Sequence, residues 1–188
     1  MKKIFALAAL VLAFSFTAKA QLAIGAGYTD AQHKTVVGST DPIVRHADNA
    51  YLEATYETTN EGMLHFFPGV KFCVNLNAKD KSVDKENFSI EVPLMGKLNI
   101  AVGEHNELFV FAGPSLLYSP ALNNSSQSSS FTDGKNNLNV FIGGGLGFDL
   151  LNRFRIKAGY NYGLIDEAKS DIIKSNTSCI YGGIDVIL

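Results

Sequence analysis

The chain has 188 residues, 16 of them basic and 18 acidic, for a formal net charge of −2, with no tryptophan and two cysteines. That length suits one domain with a sizeable core or one small barrel. The basic residues form no patch of the kind that holds a phosphate backbone, which excludes nucleic acid as an expected partner. Past the first twenty residues no apolar run reaches ~18, which excludes a membrane-spanning helix.

Those first twenty residues are read as a secretory signal peptide. Lys2 and Lys3 precede an apolar run from Ile4 to Phe16, and Thr17-Ala18-Lys19-Ala20 supplies an Ala-x-Ala site, so cleavage is expected after Ala20 on the Sec pathway. No cysteine follows the site, which argues against a lipoprotein. Cleavage removes Lys2, Lys3 and Lys19, leaving 13 basic and 18 acidic residues and a net charge of −5. The organisation is therefore 1–20 leader and 21–188 a single β-domain.

After Gln21 one grammar repeats: about ten strand-like residues, then a polar break. The runs are Leu22–Thr29, Ala50–Thr58, Leu64–Leu76, Phe88–Ile100, Leu108–Tyr118, Leu138–Leu150, Phe154–Leu164 and Cys179–Leu188. The breaks alternate in length. Asp30–Asn49, Asn77–Asn87, Ser119–Asn137 and Asp166–Ser178 are long, whereas Thr59–Met63, Ala101–Glu107 and Leu151–Arg153 are short. Long loops at one end and tight turns at the other are what an outer-membrane barrel displays, and a soluble sandwich has no reason to sort them so.

The side chains also sort. In FSIEVPLMGKLNI, Phe88, Ile90, Val92, Leu94, Leu98 and Ile100 fill one face, and Glu91 and Lys97 stand on the other. Even positions stay apolar in most runs, while odd positions collect Glu53, Glu57, Lys71, Glu91, Lys97, Asp149, Arg155, Lys157 and Asp185. Glycines crowd the same odd rows, Gly143, Gly145 and Gly147 among them, as a narrow lumen requires. Magnitude orients the rows. A Lys or Arg at the bilayer midplane costs ~2–4 kcal/mol, so the charged row is expected inside and the apolar row in lipid. Five acids facing four bases predict a lumen charge network that crosslinks itself rather than a conducting pore.

Secondary features follow from that scheme. Cys73 and Cys179 fall on the third and eighth runs, three inter-strand steps apart, beyond the ~7 Å that a disulfide spans, so two inward-facing thiols are expected. Interface aromatics are read as Tyr28, Phe88, Tyr118 and Tyr162 at the long-loop side and Phe66, Phe109, Phe148 and Phe154 at the short-turn side. Pro68, Pro93 and Pro114 lie inside runs and predict bulges or missing ladder bonds. The chain ends Val-Ile-Leu, without a terminal aromatic.

FFPGVKF, IEVPLMGKLNI, FVFAGPSLLY, FIGGGLGFDL and RIKAGYNYGL, in this order and spacing, resemble the small outer-membrane β-barrel proteins of the PorT-like kind across the whole mature chain. The resemblance implies an all-β, eight-stranded antiparallel up-and-down transmembrane barrel in the outer membrane of a Gram-negative cell. It carries short periplasmic turns and long extracellular loops. The family is functionally mixed, so it transfers no active residue.

No cofactor or metal site is expected. Gly143-Gly144-Gly145-Leu146-Gly147 has strand-like residues on both sides, not the helix a phosphate loop must open. His33, His46, His65 and His105 lack ligand spacing, and catalysis is not expected. Asn123–Ser130 (NNSSQSSS) reads as a solvated loop. Mixed loop charges, Glu86, Glu167 and Asp171 with Lys81, Lys85, Lys169 and Lys174, offer contacts to lipopolysaccharide or to a protein. The function expected is a structural or surface-interaction barrel. Its expected partners are outer-membrane lipid, lipopolysaccharide, the barrel-assembly machinery during insertion and an extracellular or periplasmic protein. A narrow channel or small-ligand binder, with Phe67 and Phe141 bounding a cavity, is the alternative; a lipid-modifying enzyme ranks below it.

Overall fold

The computed structural model describes residues 20–37, 41–58, 63–76, 88–119, 138–165 and 173–188. The leader through Lys19, the Asn123–Ser130 stretch and the loop charges Lys81, Lys85, Glu86, Glu167, Lys169 and Asp171 lie outside these residues. Eight strands follow in order: β1 Ala20–Val37, β2 Ile43–Thr58, β3 Leu64–Asn75, β4 Phe88–Ala101, β5 Glu107–Tyr118, β6 Leu138–Leu150, β7 Phe154–Gly163 and β8 Ile173–Ile187. Each pairs antiparallel with its chain neighbour, and β8 closes on β1, giving an up-and-down barrel without an edge at that level.

Register fixes the barrel's dimensions. From Leu117 on β5 the pairing runs through Glu91, Lys71, Glu53, Gly25, Asp185, Arg155 and Asp149 and returns to β5 at Glu107, a stagger of ten residues. Strand number and stagger together set tilt and radius, and eight strands leave an interior that side chains can fill. The period of two assigns the faces. Leu52, Leu146 and Ile184 on the even rows are 65%, 60% and 58% exposed, while the odd rows point inward. A continuous apolar exterior of this kind is a membrane surface rather than a soluble one.

The strands differ from the sequence reading in length and at Phe109. β1, β2 and β8 continue through 30–37, 43–49 and 173–178, which the pattern assigned to loops. The apolar even row stops near Tyr28, Ala50 and Ile180, but β-branched and polar residues keep the ladder going above it, with Thr35 opposite Ile43 and Val37 opposite Ile173. Phe109 is corrected: it lies on an odd row, fully buried inside the barrel, and belongs to no interface belt.

The prolines interrupt pairing without shifting it. The β3–β4 ladder lapses between Pro68–Leu94 and Lys71–Glu91, opposite Pro93, and resumes in the same register. The β4–β5 ladder lapses likewise between Pro93–Ser115 and Gly96–Ala112, at Pro114. These are missing bonds rather than bulges. Beyond Pro68, where the β2–β3 ladder has ended at Thr55–Gly69, the Thr58 hydroxyl donates to the Phe66 carbonyl and accepts from the Phe66 amide, both at 3.1 Å. A side chain takes over there from a ladder that proline has stopped.

At the short-turn end Leu151 and Asn152 both adopt left-handed φ (56° and 54°), and the Arg153 amide donates to the Leu150 carbonyl at 3.1 Å. That is the primed two-residue hairpin turn, whose twist matches the strands it joins. The Asn152 amide donates to the His105 carbonyl (3.1 Å) and the Leu151 amide to Asn106 Oδ1 (3.1 Å), tying this turn to the β4–β5 connection.

Candidate functional site in the barrel lumen

All nine charged residues expected inside are buried and inward-facing. The register that closes the barrel also orders six of them. Glu91, Lys71, Glu53, Asp185, Arg155 and Asp149 occupy consecutive strands of one line around the wall, with Gly25 between Glu53 and Asp185 and Glu107 ending the line at the mouth. Glu57, Lys97 and Lys157 sit off this line and pair with it or with one another.

Three groups result. Nearest the short turns, Lys97 Nζ donates to Glu57 Oε1 (2.9 Å) and Asp149 Oδ2 (2.8 Å). Arg155 grips Asp149 bidentately, Nε to Oδ1 and Nη2 to Oδ2, both at 2.8 Å, and reaches Glu57 Oε2 at 2.5 Å. Such paired charge-assisted bonds are strong and geometrically exacting. His65 Nδ1 lies 2.9 Å from Glu57 Oε1. The group spans β2, β3, β4, β6 and β7, so strands that are not neighbours are joined through the interior.

In the second group Lys157 Nζ bridges Glu53 Oε1 (2.7 Å) and Asp185 Oδ2 (2.9 Å). In the third, Lys71 meets Glu91 at 3.4 Å, and Asn161 Nδ2 donates to Glu91 at 2.9 Å. The Lys71 ammonium sits 4.7 Å from the Tyr51 ring centre and 4.2 Å from that of Tyr181, within cation–π range. Aromatic side chains fill space between the groups: Phe67 stacks edge-to-face on Phe111 (centres 5.7 Å apart), and Phe109 lies under both Lys97 and Arg155.

The inward glycines seat these large groups. A Cβ on Gly25 would stand 1.9 Å from Asp185 Oδ1, one on Gly147 would stand 2.0 Å from the Phe109 ring, and one on Gly183 would stand 2.2 Å from the Tyr51 hydroxyl. Glycine is therefore required by volume, as the crowding of the odd rows implied.

One cavity of about 200 Å³ opens at the short-turn mouth, lined by Gln21, Glu57, His65, Lys97, Asn99, Glu107, Asp149, Asn152 and Ile187. Among the described residues no group of three or more His, Cys, Asp or Glu side chains is placed to hold a metal ion. Cys73 and Cys179 are not joined to each other, in keeping with their separation around the wall. The sequence reading missed His65, Asn161 and Glu107. Their odd positions place them on the inner rows, a signal that outweighs the metal-ligand spacing by which the histidines were judged. It missed too the aromatic interior of Tyr51, Phe109, Phe111 and Tyr181, which Phe67, already expected in the lumen, joins.

Residues 50–169 match the family model described as outer membrane protein beta-barrel domain. No curated protein matches the chain. Among solved structures, Neisserial surface protein A is similar at 15% identity and a TM-score of 0.51, covering 87% of this chain and 97% of its own. The attachment invasion locus protein Ail of Yersinia pestis, solved with the heparin analogue sucrose octasulfate, gives 16% identity, a TM-score of 0.48 and coverage of 90% and 99%. The N-terminal β-barrel domain of Pseudomonas aeruginosa OprF gives 8% identity, a TM-score of 0.46 and coverage of 87% and 97%. At these identities the likeness concerns fold.

Proposed function

The chain belongs to the outer membrane protein beta-barrel domain family, and from that premise we propose a barrel that closes its own lumen and acts at the cell surface through its long-loop end. The outer membrane of a Gram-negative cell is its location. The observation that carries the reading is the internal pairing of all nine lumen charges, with aromatic rings packed between the groups. Paired charges held in a lattice of strands offer a permeating ion no hydration substitute and no continuous water path.

The remaining parts of the proposal are a leader removed after Ala20, insertion by the barrel-assembly machinery, and contact with outer-membrane lipid and lipopolysaccharide along the apolar belt. The PorT-like subtype and a protein partner at either face belong to it as well. Catalysis has no part in it. A second reading, a binder of small polar molecules, is favoured by the 200 Å³ cavity at the short-turn mouth, whose lining is mostly charged or amide.

Planar-bilayer recording of the purified protein tests the choice. The expected result is a silent bilayer up to the voltage at which the lipid itself fails. Reproducible conductance steps that vanish with a Lys97→Glu change would establish a channel through the network instead.

A further inference from the structure

Above the level at which the apolar belt ends, β2, β1 and β8 continue as a three-stranded sheet, which no described residue of the other five strands accompanies. β3 first pairs with β2 at Asn75–Asn49, and the last bond at that seam runs from the Leu76 amide to the Asp48 carbonyl (2.8 Å). In an antiparallel ladder the N–H and C=O of one residue point to the same side and those of the next to the other. Since Asp48 faces β3, His46 and Val44 turn theirs the same way, beyond the end of β3. Ile43, Arg45 and Ala47 turn theirs to β1.

Among the described residues the segment Ile43–Ala47 is thus an open strand edge, carrying two donors and two acceptors that none of them meets. Ile43 and Val44 are 55% and 49% exposed. An exposed strand edge with unmet donors and acceptors is a template for strand addition.

Charge selects the occupant. Lys34, Arg45 and Lys174 lie exposed on this sheet, none in an ion pair among the described residues, with Asp41 the exposed acid nearby. The other acids of the sheet are engaged: Asp30 with His46 at 3.1 Å, and Asp48 with the Tyr28 hydroxyl. A second copy of this chain would bring Arg45 and its lysine neighbours against their own kind. We propose that the outer edge of β2 at Ile43–Ala47 binds an extended, acidic segment of a partner protein by adding it as a further strand. The proposal rests on the surface-interaction reading and names the site that reading lacks.

The test uses the full barrel in lipid nanodiscs and, as probe, a ten-residue peptide alternating valine with glutamate. Expected is protection of the Val44 and His46 amides from hydrogen exchange when the peptide is added. The double change Val44→Pro, His46→Pro removes both outward-facing donors and leaves the β1 ladder intact, as edge prolines do; it is expected to weaken binding at least tenfold, and His46→Ala, which frees Asp30 but keeps the amide, is expected to weaken it far less. Arg45→Glu, on an exposed side chain, is expected to switch preference to a lysine-bearing version of the peptide. Three results overturn the proposal: no amide protection, binding undiminished by the two prolines, or peptide-free self-association that the prolines abolish.

Whole cells carrying Arg45→Cys, with Cys73→Ser and Cys179→Ser, separate this idea from its premise. Labelling by a membrane-impermeant maleimide with no peptide binding sinks the edge alone. Absence of labelling sinks the surface reading.

Discussion

Lys97 shows how much a single lumen residue carries. It is 1% exposed and its ammonium holds two carboxylates, Glu57 and Asp149, on strands that are not neighbours. Replacing one partner of a buried ion pair leaves an uncompensated charge, at a cost of about 3–5 kcal/mol. Lys97→Met is expected to destabilise the barrel by that amount in urea unfolding from lipid vesicles. The second change Asp149→Asn removes the orphaned charge while Arg155 still holds Glu57, so the double variant is expected to recover part of the loss. Simple additivity between the two would show that they do not share the network. Parity alone revealed that these residues face inward, since every second position of a strand shares a face. Which acid meets which base was not legible, because pairing across a lumen depends on register, and no residue in the sequence announces a stagger of ten.

At the scale of elements, the limits of reading follow from which signal marks a strand. Apolar alternation ends where lipid ends, so the belt portions of β1, β2 and β8 were legible and their continuations at 30–37, 43–49 and 173–178 were not. Only their pairing partners show that these segments are strands. The turns read more reliably: Leu151–Arg153 was already too short for anything but a hairpin. Its conformation is costly, because Leu151 takes φ of 56° while bearing a branched side chain that is 57% exposed. Asn tolerates this region and leucine does not, with a penalty on the order of 1 kcal/mol. Leu151→Asn is accordingly expected to stabilise the barrel by about 1 kcal/mol. Urea unfolding measures it, and an unchanged midpoint would mean that the leucine's contact with the membrane interface offsets its backbone strain.

For the molecule as a whole, one choice of sides governs everything else, and a depth profile tests it. Leu138, Leu146 and Leu150 share the outward row of β6, near the long-loop end, the middle and the short-turn end of the belt. If that row faces lipid, a lysine in the middle costs ~2–4 kcal/mol and one near either interface ~0–1, because the ends of the belt let the ammonium reach headgroups. Leu146→Lys should therefore destabilise the folded barrel severalfold more than Leu138→Lys or Leu150→Lys, measured by unfolding from vesicles. In a soluble barrel the order would disappear, since water meets all three sites alike and lysine improves each. The inner row supplies the opposing control. Gly147 faces the Phe109 ring, so Gly147→Leu fails for lack of room rather than for polarity, and its cost should not change when vesicles are exchanged for detergent. A profile peaked at Leu146 together with a solvent-independent penalty at Gly147 assigns lipid to one face of β6 and packed protein to the other.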